Sequence, residues 1–292
     1  MASTQKTAVN VVFGAMTIGK PGVEQTRVHT FPATAALLNT FQSHGHNEID
    51  TARFYGGGSS EEYLGELDWQ SRGLVMDTKY YPTIGRNMGS EEWMHRPYHL
   101  RENLMRSLKA LKADRVDMWY LHGPDRTTPF SETLREVDAL YKEGYFKRFG
   151  ISNYMSWEVS RIVELCRANN WIQPADTADK VEAGSRFDPA RWQGKMYRAR
   201  YWTDGYFDAL DILRPVAERH GLSEAECALR WMMHHSLLKR EKGDAVIIGA
   251  SSTRHLEENL VDMEKGPLPD EVLQALDAGW KRVREEAGRY WH

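Results

Sequence analysis

Along this chain the spacing of apolar positions switches repeatedly between strand-like and helix-like periods. NVVFGAM predicts a strand over Asn10–Met16, and Thr34–Ser43 follows with helical spacing. The pair then recurs. EIDTA, ending at Ala52, precedes a helix over Ser60–Leu67, and Leu74–Lys79 precedes a helix over Arg101–Leu111. Val116–His122 precedes Ser131–Glu143, and KRFGIS precedes Trp157–Ala168. In Arg101–Leu111 the leucines 104, 108 and 111 share one face. Gly144 stands where a helix C-terminal glycine belongs. Strand–helix units in unbroken succession need crossover connections, hence parallel strands. This predicts an α/β fold of the (β/α)8, TIM-type barrel class. No GxGxxG follows the first strand, which argues against an open dinucleotide-binding sheet.

The regularity stops after Trp171–Pro174. Residues 174–206 are polar, turn-rich and dotted with aromatics, without an apolar run long enough for a core strand. Helical spacing resumes at Tyr206–His220 and Ser223–His235, a strand is predicted over Ala245–Ser251, and helices over Arg254–Glu264 and Pro269–Glu286 close the chain. That makes about six recognisable strands where a closed barrel has eight. The expectation is one domain over residues 1–292, an incomplete or patched barrel with 174–206 irregular.

Composition narrows the class. The 292 residues are 41% hydrophobic and 27% charged with a net charge of −3, ordinary for a globular protein able to bury a core. Nothing there suggests a nucleic-acid or anionic-membrane partner. The start, MASTQKTAVNVVFGAM, has no basic-then-apolar leader, and no apolar run approaches a membrane span. The two cysteines, Cys166 and Cys227, sit in helix-like stretches and read as reduced, buried thiols. A cytoplasmic protein is expected.

A barrel builds its active site at the C-terminal ends of its strands. Here the second strand ends in Asp50-Thr-Ala-Arg-Phe-Tyr55, the third in Lys79 and the fourth in His122. A carboxylate, a phenol, an ammonium and an imidazole suit protonation of a carbonyl oxygen. A phenol is a poor acid near neutrality. A neighbouring ammonium favours its ionised form, the carboxylate holds the ammonium, and the imidazole orients the carbonyl. Each residue alone has a plainer reading: a capping Asp, a surface Tyr or Lys, a structural His. Their joint placement at successive strand ends is what points to chemistry. Gly56-Gly57-Gly58 lacks the GK[ST] of a phosphate loop and reads as a turn after Tyr55. His44, His46, His234 and His235 are poorly disposed for a metal, and no metal is expected. GASSTRHLEENL offers hydroxyls, backbone N–H groups and a cation at a helix start, which suits a phosphate or simply a capped helix.

The stretches EIDTARFYGGGSSEEYLG, MDTKYYP, VDMWYLHGPD and FGISNY resemble the aldo-keto reductase superfamily. VVFGAMTIG, YRARYW, RWMMHHS and DAVIIGASSTRHLEENL are similar to its aflatoxin-aldehyde and succinic-semialdehyde reductase branch, and the likeness runs from Val11 to Trp291. The resemblance implies NADPH-dependent reduction of an aldehyde or ketone. It implies Tyr55 as proton donor with Asp50, Lys79 and His122 as partners. Ser152 and Asn153 would hold the nicotinamide carboxamide, and Gly14 and Met16 would face cofactor and substrate. Ser251, Ser252 and Arg254 would grip the adenosine 2′-phosphate, and Glu258 and Asn259 the adenine. Arg200 and Trp202, with Arg198 and Tyr201, resemble a segment at the cofactor and substrate mouth, or else an aromatic loop on the barrel.

One departure qualifies the activity. The family's sixth strand, sixth helix and seventh strand, roughly 35–45 residues at typical lengths, have no counterpart after Pro174. Those strands supply a glutamine to the nicotinamide amide and an aromatic ring to its face. Their loss opens the hydrogen-bond ladder, so new local structure or a second copy of the chain would have to cover it. Besides carbonyl reduction, two other functions therefore stand: non-redox acid–base work on a carbonyl compound (isomerisation, dehydration or cyclisation), and cofactor binding without catalysis.

Overall fold

The computed structural model describes residues 4–23, 25–85, 92–178 and 201–288, the side chains of 175–178 aside. The chain divides into two compact units. The larger comprises Phe13–Ala35, Asn47–Val181 and Tyr290–His292, and the smaller Met1–Val12, Ala36–His46 and Glu182–Arg289.

The larger unit is the strand–helix repeat, and helix α1 (Phe31–Ser43) precedes its second strand in the chain. Strands β2 (Glu48–Asp50), β3 (Val75–Tyr80), β4 (Val116–Leu121), β5 (Phe146–Ser152) and β6 (Pro174–Ala178) alternate with helices α2 (Ser59–Glu66), α3 (Pro97–Ala110), α4 (Phe130–Lys142) and α5 (Ser156–Asn169). The sheet runs β6-β5-β4-β3-β2, with β1 (Asn10–Gly14) beyond β2, and the pairs from β2 to β6 are all parallel. The register sets Asp50 beside Asp77, Lys79 beside Tyr120, and Tyr120 beside Gly150. Strand residues Ile49, Met76, Trp119, Phe149 and Ile151 are buried, as are Leu100, Leu104 and Leu108 on α3 and Leu134, Val137 and Leu140 on α4. Those helix positions recur every three or four residues, which is why the helices form amphipathic faces over the strands. Pro97 opens α3 at a position where a missing N–H is harmless. Gly144 ends the turn after α4 with φ of 88°.

The smaller unit holds α6 (Asp204–Arg219), α7 (Glu224–His234), β7 (Ala245–Gly249), α8 (Thr253–Met263) and α9 (Asp270–Val283). Its core gathers Leu213, Ala217, Cys227, Leu268, Val272 and Ala275. Ser223 and Ser252 cap α7 and α8 by accepting from the backbone N–H groups of Glu226 and His255. His44 bonds Glu264 at 2.7 Å and Glu257 at 3.2 Å, while His46 is buried against Phe41 and burial pushes it down to about 4. No described helix is long and apolar enough to cross a membrane.

All six strands expected from the pattern are present, with shifted ends. β1 stops at Gly14 because Ala15–Thr17 turns in a 3-10 helix. β2 keeps three residues. A further strand, β6, occupies Pro174–Ala178, at the start of the stretch expected to be irregular. PADTA has no apolar alternation; it joins β5 through backbone groups that any sequence carries, after a register shift at Phe149/Gly150. Residues 179–200 of that stretch lie outside the described residues.

Leu104 has no exposed surface. Leu104→Ala should therefore lower unfolding stability by about 3 kcal/mol, read as a shift in the denaturant midpoint with an unchanged slope.

Candidate active site

Parallel strands in register end at similar heights, so residues at their ends converge. Beyond β2 the chain stays on β3. The backbone N–H of Thr51 donates to Asp77 O at 2.9 Å and that of Arg53 to Lys79 O at 3.1 Å. The N–H of Tyr55 then donates to Ala52 O and turns the chain. Gly56, Gly57 and Gly58 follow with φ of 57°, 61° and 95°. Side chains rarely adopt such angles, and a Cβ on Gly58 would meet the Arg53 guanidinium. This left-handed stretch delivers Tyr55 to the level of Lys79.

Lys79 is fully buried. Its Nζ donates to Asp50 Oδ2 at 2.6 Å, to the Thr51 carbonyl at 2.7 Å and to the Tyr55 hydroxyl oxygen at 3.3 Å. It also lies 4.7 Å from the centre of the Tyr55 ring. An ammonium in so dry a place needs a carboxylate and a full set of acceptors, and it has both. The Tyr55 ring packs with Met16 and Ala52. His122 follows β4, its N–H donating to Tyr80 O at 2.8 Å, and its ring meets Tyr55 edge-on at 5.6 Å and Tyr81 at 5.4 Å. Thus Asp50, Tyr55, Lys79 and His122, proposed from spacing, share one site. Gly150 leaves room for the Tyr120 ring, which a Cβ would meet at 2.3 Å.

Ser152 ends β5 and Asn153 follows with φ of 66°. The Asn153 amide donates to the His122 carbonyl at 2.8 Å and to Ser152 Oγ at 3.1 Å, which fixes both beside the strand-four end. Gly14 is the last residue of β1 and Met16 lies in the turn after it. Ser251, Ser252, Arg254, Glu258 and Asn259 belong to the smaller unit. There Ser252 caps α8, Ser251 Oγ lies 3.1 Å from His255 Nδ1, and Arg254 pairs with Glu258 at 3.4 Å. Trp202 packs edge-on with Phe207 at 5.1 Å. Arg200 lies outside the described residues.

Three contributors escaped the sequence reading. The Thr51 carbonyl is a backbone group and carries no side-chain signal. Tyr81, two residues beyond Lys79, flanks His122. Glu61, on α2, is fully buried and binds Thr78 Oγ1 at 2.6 Å and Arg53 at 2.7 Å. Its neighbour Glu62 pairs with Lys20 at the surface, so only helix phase separates the two acids. Phe54, Tyr81 and Trp93, with Arg53 and Arg106, line a cavity of about 190 Å³. Arg53 is paired with Glu61 and Arg106 with Glu102.

Asp125 secures the loop after His122. It accepts from the N–H and hydroxyl of Thr127 (2.8 and 2.6 Å), the hydroxyl of Thr128 (2.7 Å) and the N–H of His95 (2.8 Å). Elsewhere in this unit Glu48, Asp77 and Asp117 bring carboxylate oxygens within 4.8 Å of one another. Arg148 fills that cluster, bonding Glu48 at 2.5 Å and Asp117 at 2.6 Å.

The family model described as the aldo/keto reductase family matches residues 10–180 and again 167–281. Aldo-keto reductase pigE of Monascus ruber is 41% identical over 98% of this chain and 98% of its own length. Human aldo-keto reductase family 7 member A3 is 35% identical, covering 96% of each. Aflatoxin B1 aldehyde reductase member 2 of Mus musculus is 34% identical over 89% of this chain and 83% of its own. Among solved structures, a thermostable aldo-keto reductase in complex with the inhibitor epalrestat superposes with a TM-score of 0.60 at 22% identity, covering 91% of this chain and 94% of that one. This likeness gives the TIM-barrel type of fold. The pigE comparison extends over 336 residues, more than the 292 of this chain, so that relative carries residues this chain lacks. The family match restarts at 167 before its first stretch ends at 180, where the strand–helix pattern also lapses.

Burial would raise the Asp125 carboxyl, but the hydrogen bonds, led by the Thr127 hydroxyl, hold it down at about 2. Because its folded value lies below the unfolded one, Asp125 stabilises the fold above pH about 4, and that contribution is lost as pH falls towards 2. It amounts to about 2 kcal/mol. Denaturant titrations across this window should show the parent chain losing that much more stability than Asp125→Asn.

Proposed function

This chain belongs to the aldo/keto reductase family, and on that premise we propose that it reduces an aldehyde or ketone to an alcohol, with NADPH as hydride source and Tyr55 as proton donor. One observation carries the reading: a single buried ammonium, Lys79, contacts both the Asp50 carboxylate and the Tyr55 phenol.

The Tyr55 oxygen accepts from Lys79, and its O–H is the group that protonates the carbonyl oxygen in this reading. When that proton leaves, the ammonium at 3.3 Å stabilises the phenolate left behind. Asp50 keeps the ammonium charged and fixed. His122, edge-on to Tyr55, orients the carbonyl between imidazole and phenol. The cavity walled by Phe54, Tyr81 and Trp93 suits an apolar or aromatic substituent on the substrate. Arg200 and Trp202 are assigned to the substrate mouth.

The donor groups fit a nicotinamide dinucleotide in their chemistry. Ser152 and Asn153 pair a hydroxyl with a side-chain amide, as a carboxamide requires, and Gly14 and Met16 flank them in this assignment. Ser251, Ser252 and Arg254 offer hydroxyls and a cation at the start of α8, as a 2′-phosphate requires, with Glu258 and Asn259 for the adenine. When bound, the reduced nicotinamide supplies the hydride. The setting is assigned as cytoplasmic, with a second copy of the chain as a candidate partner.

A second reading is favoured by the restart of the family match at 167–180. That is where the family's nicotinamide-facing strands begin, so the same four residues would run non-redox acid–base chemistry on a carbonyl compound, and a chain without turnover would be a cofactor-binding relative. Tyr55→Phe separates these. Under the first reading, NADPH oxidation with a carbonyl panel falls by about 100-fold or more while NADPH still quenches tryptophan fluorescence. Turnover of a carbonyl compound without nicotinamide, abolished by the same substitution, would establish the second.

A further inference from the structure

We propose that Glu61 is a positioning residue of the acid–base site, holding from α2 the turn that carries Tyr55 to Lys79. This rests on the reading of Tyr55 as proton donor.

Glu61 has no exposed surface, and each of its carboxylate oxygens grips a residue next to the site. Oε1 accepts from the hydroxyl of Thr78, the residue before Lys79. Oε2 pairs with Nη1 of Arg53, which stands between Asp50 and Tyr55. Successive strand residues face opposite ways, so Thr78 points away from the side on which Lys79 meets Asp50. Glu61 therefore reaches both catalytic segments from behind. Ser107 of α3, also buried, hydrogen-bonds the same carboxylate. Burial raises the Glu61 carboxyl, against the pull of Arg53, the hydroxyls of Thr78 and Ser107, and Lys79.

The grip bears on one contact above the others. Asp50 lies on β2 and Thr51 directly follows it, and their bonds to Lys79, at 2.6 and 2.7 Å, are set by strand register. Tyr55 sits beyond Arg53 on a turn of three left-handed glycines, and its contact with Lys79 is the longest, 3.3 Å. Those glycines impose little stiffness of their own. The Arg53 guanidinium, clamped by Glu61, packs over Gly58 and closes the turn. Stability alone is a weak reason to keep this carboxylate, since a buried ion pair is commonly no better than apolar residues of the same volume.

The test is Glu61→Gln, which keeps the shape and removes the charge. The ionisation of Tyr55, faced by Lys79 and His122 and through Lys79 by Asp50, is isolated by subtracting tyrosinate absorbance with and without Tyr55→Phe in each background. Removing a buried anion by itself eases the ionisation of a neighbouring phenol, so only a lengthened Tyr55–Lys79 contact can make it harder: in Glu61→Gln, Tyr55 should ionise higher than in the parent. The kcat for NADPH-dependent carbonyl reduction should fall roughly ten-fold or more, with KM for NADPH little changed. Glu61→Asp should recover part of both. Tyr55 ionising at or below the parent value, whatever the melting temperature, would leave Glu61 a structural residue and overturn the proposal. If Glu61→Gln does not fold, Arg53→Lys keeps the charge, loses the planar guanidinium that packs over Gly58 and must shift Tyr55 in the same direction. Activity retained in Tyr55→Phe would instead sink the proton-donor reading, while the absorbance comparison still decides whether Glu61 sets the phenol against Lys79.

Discussion

The larger unit is organised around the burial of one positive charge. An ammonium removed from water loses several kcal/mol of solvation that only close, well-directed partners restore. Lys79 finds them at the ends of two adjacent strands, and the requirement propagates. Asp50 must be ionised beside it, so β2 and β3 must stay in register. Two residues earlier on the same strands, Glu48 and Asp77 stand with Arg148 of β5, whose guanidinium also takes Asp117. Burial and the neighbouring Glu48 push Asp77 well up, against the pull of Arg148, and its Oδ1 accepts from the backbone N–H of Met118. Branched apolar residues usually fill this level of a barrel. Here part of it is a column of charge, which ties the register of β2 to β5 to electrostatics as well as to packing.

That column explains why the site is assembled from short pieces. β2 has three residues, yet its extension holds level with β3 through backbone bonds from Thr51 and Arg53. Register errors of one residue would reverse every inward side chain and strand Asp50 away from Lys79. Longer strands would add ladder bonds. Shorter ones suffice where charged pairs fix the alignment.

The repeat of strands and helices was legible because its signal is periodic and long. Leu100, Leu104 and Leu108 announce α3, and VDMWYL announces β4. The convergence of Asp50, Tyr55, Lys79 and His122 was legible because their residue types are unusual at strand ends. β6 was not, since PADTA pairs through its backbone and shows no alternation. Glu61 was not, since EEYLG gives two adjacent acids and only three-dimensional helix phase buries the first. The Thr51 carbonyl could not have been, because every residue carries one. Ser252 was legible as a helix cap, and it accepts from the His255 N–H at the start of α8.

The three contacts of Lys79 have a chemical consequence in a chain of the aldo/keto reductase family. A lysine amine with a free electron pair condenses with an aldehyde to an imine. Lys79 has no exposed surface, and each of its three N–H bonds is already directed to an acceptor: Asp50, the Thr51 carbonyl and Tyr55. An ammonium held in this way has no electron pair with which to attack. The contacts that hold Lys79 against Asp50, Thr51 and Tyr55 also keep its amine inert towards electrophilic carbonyl compounds.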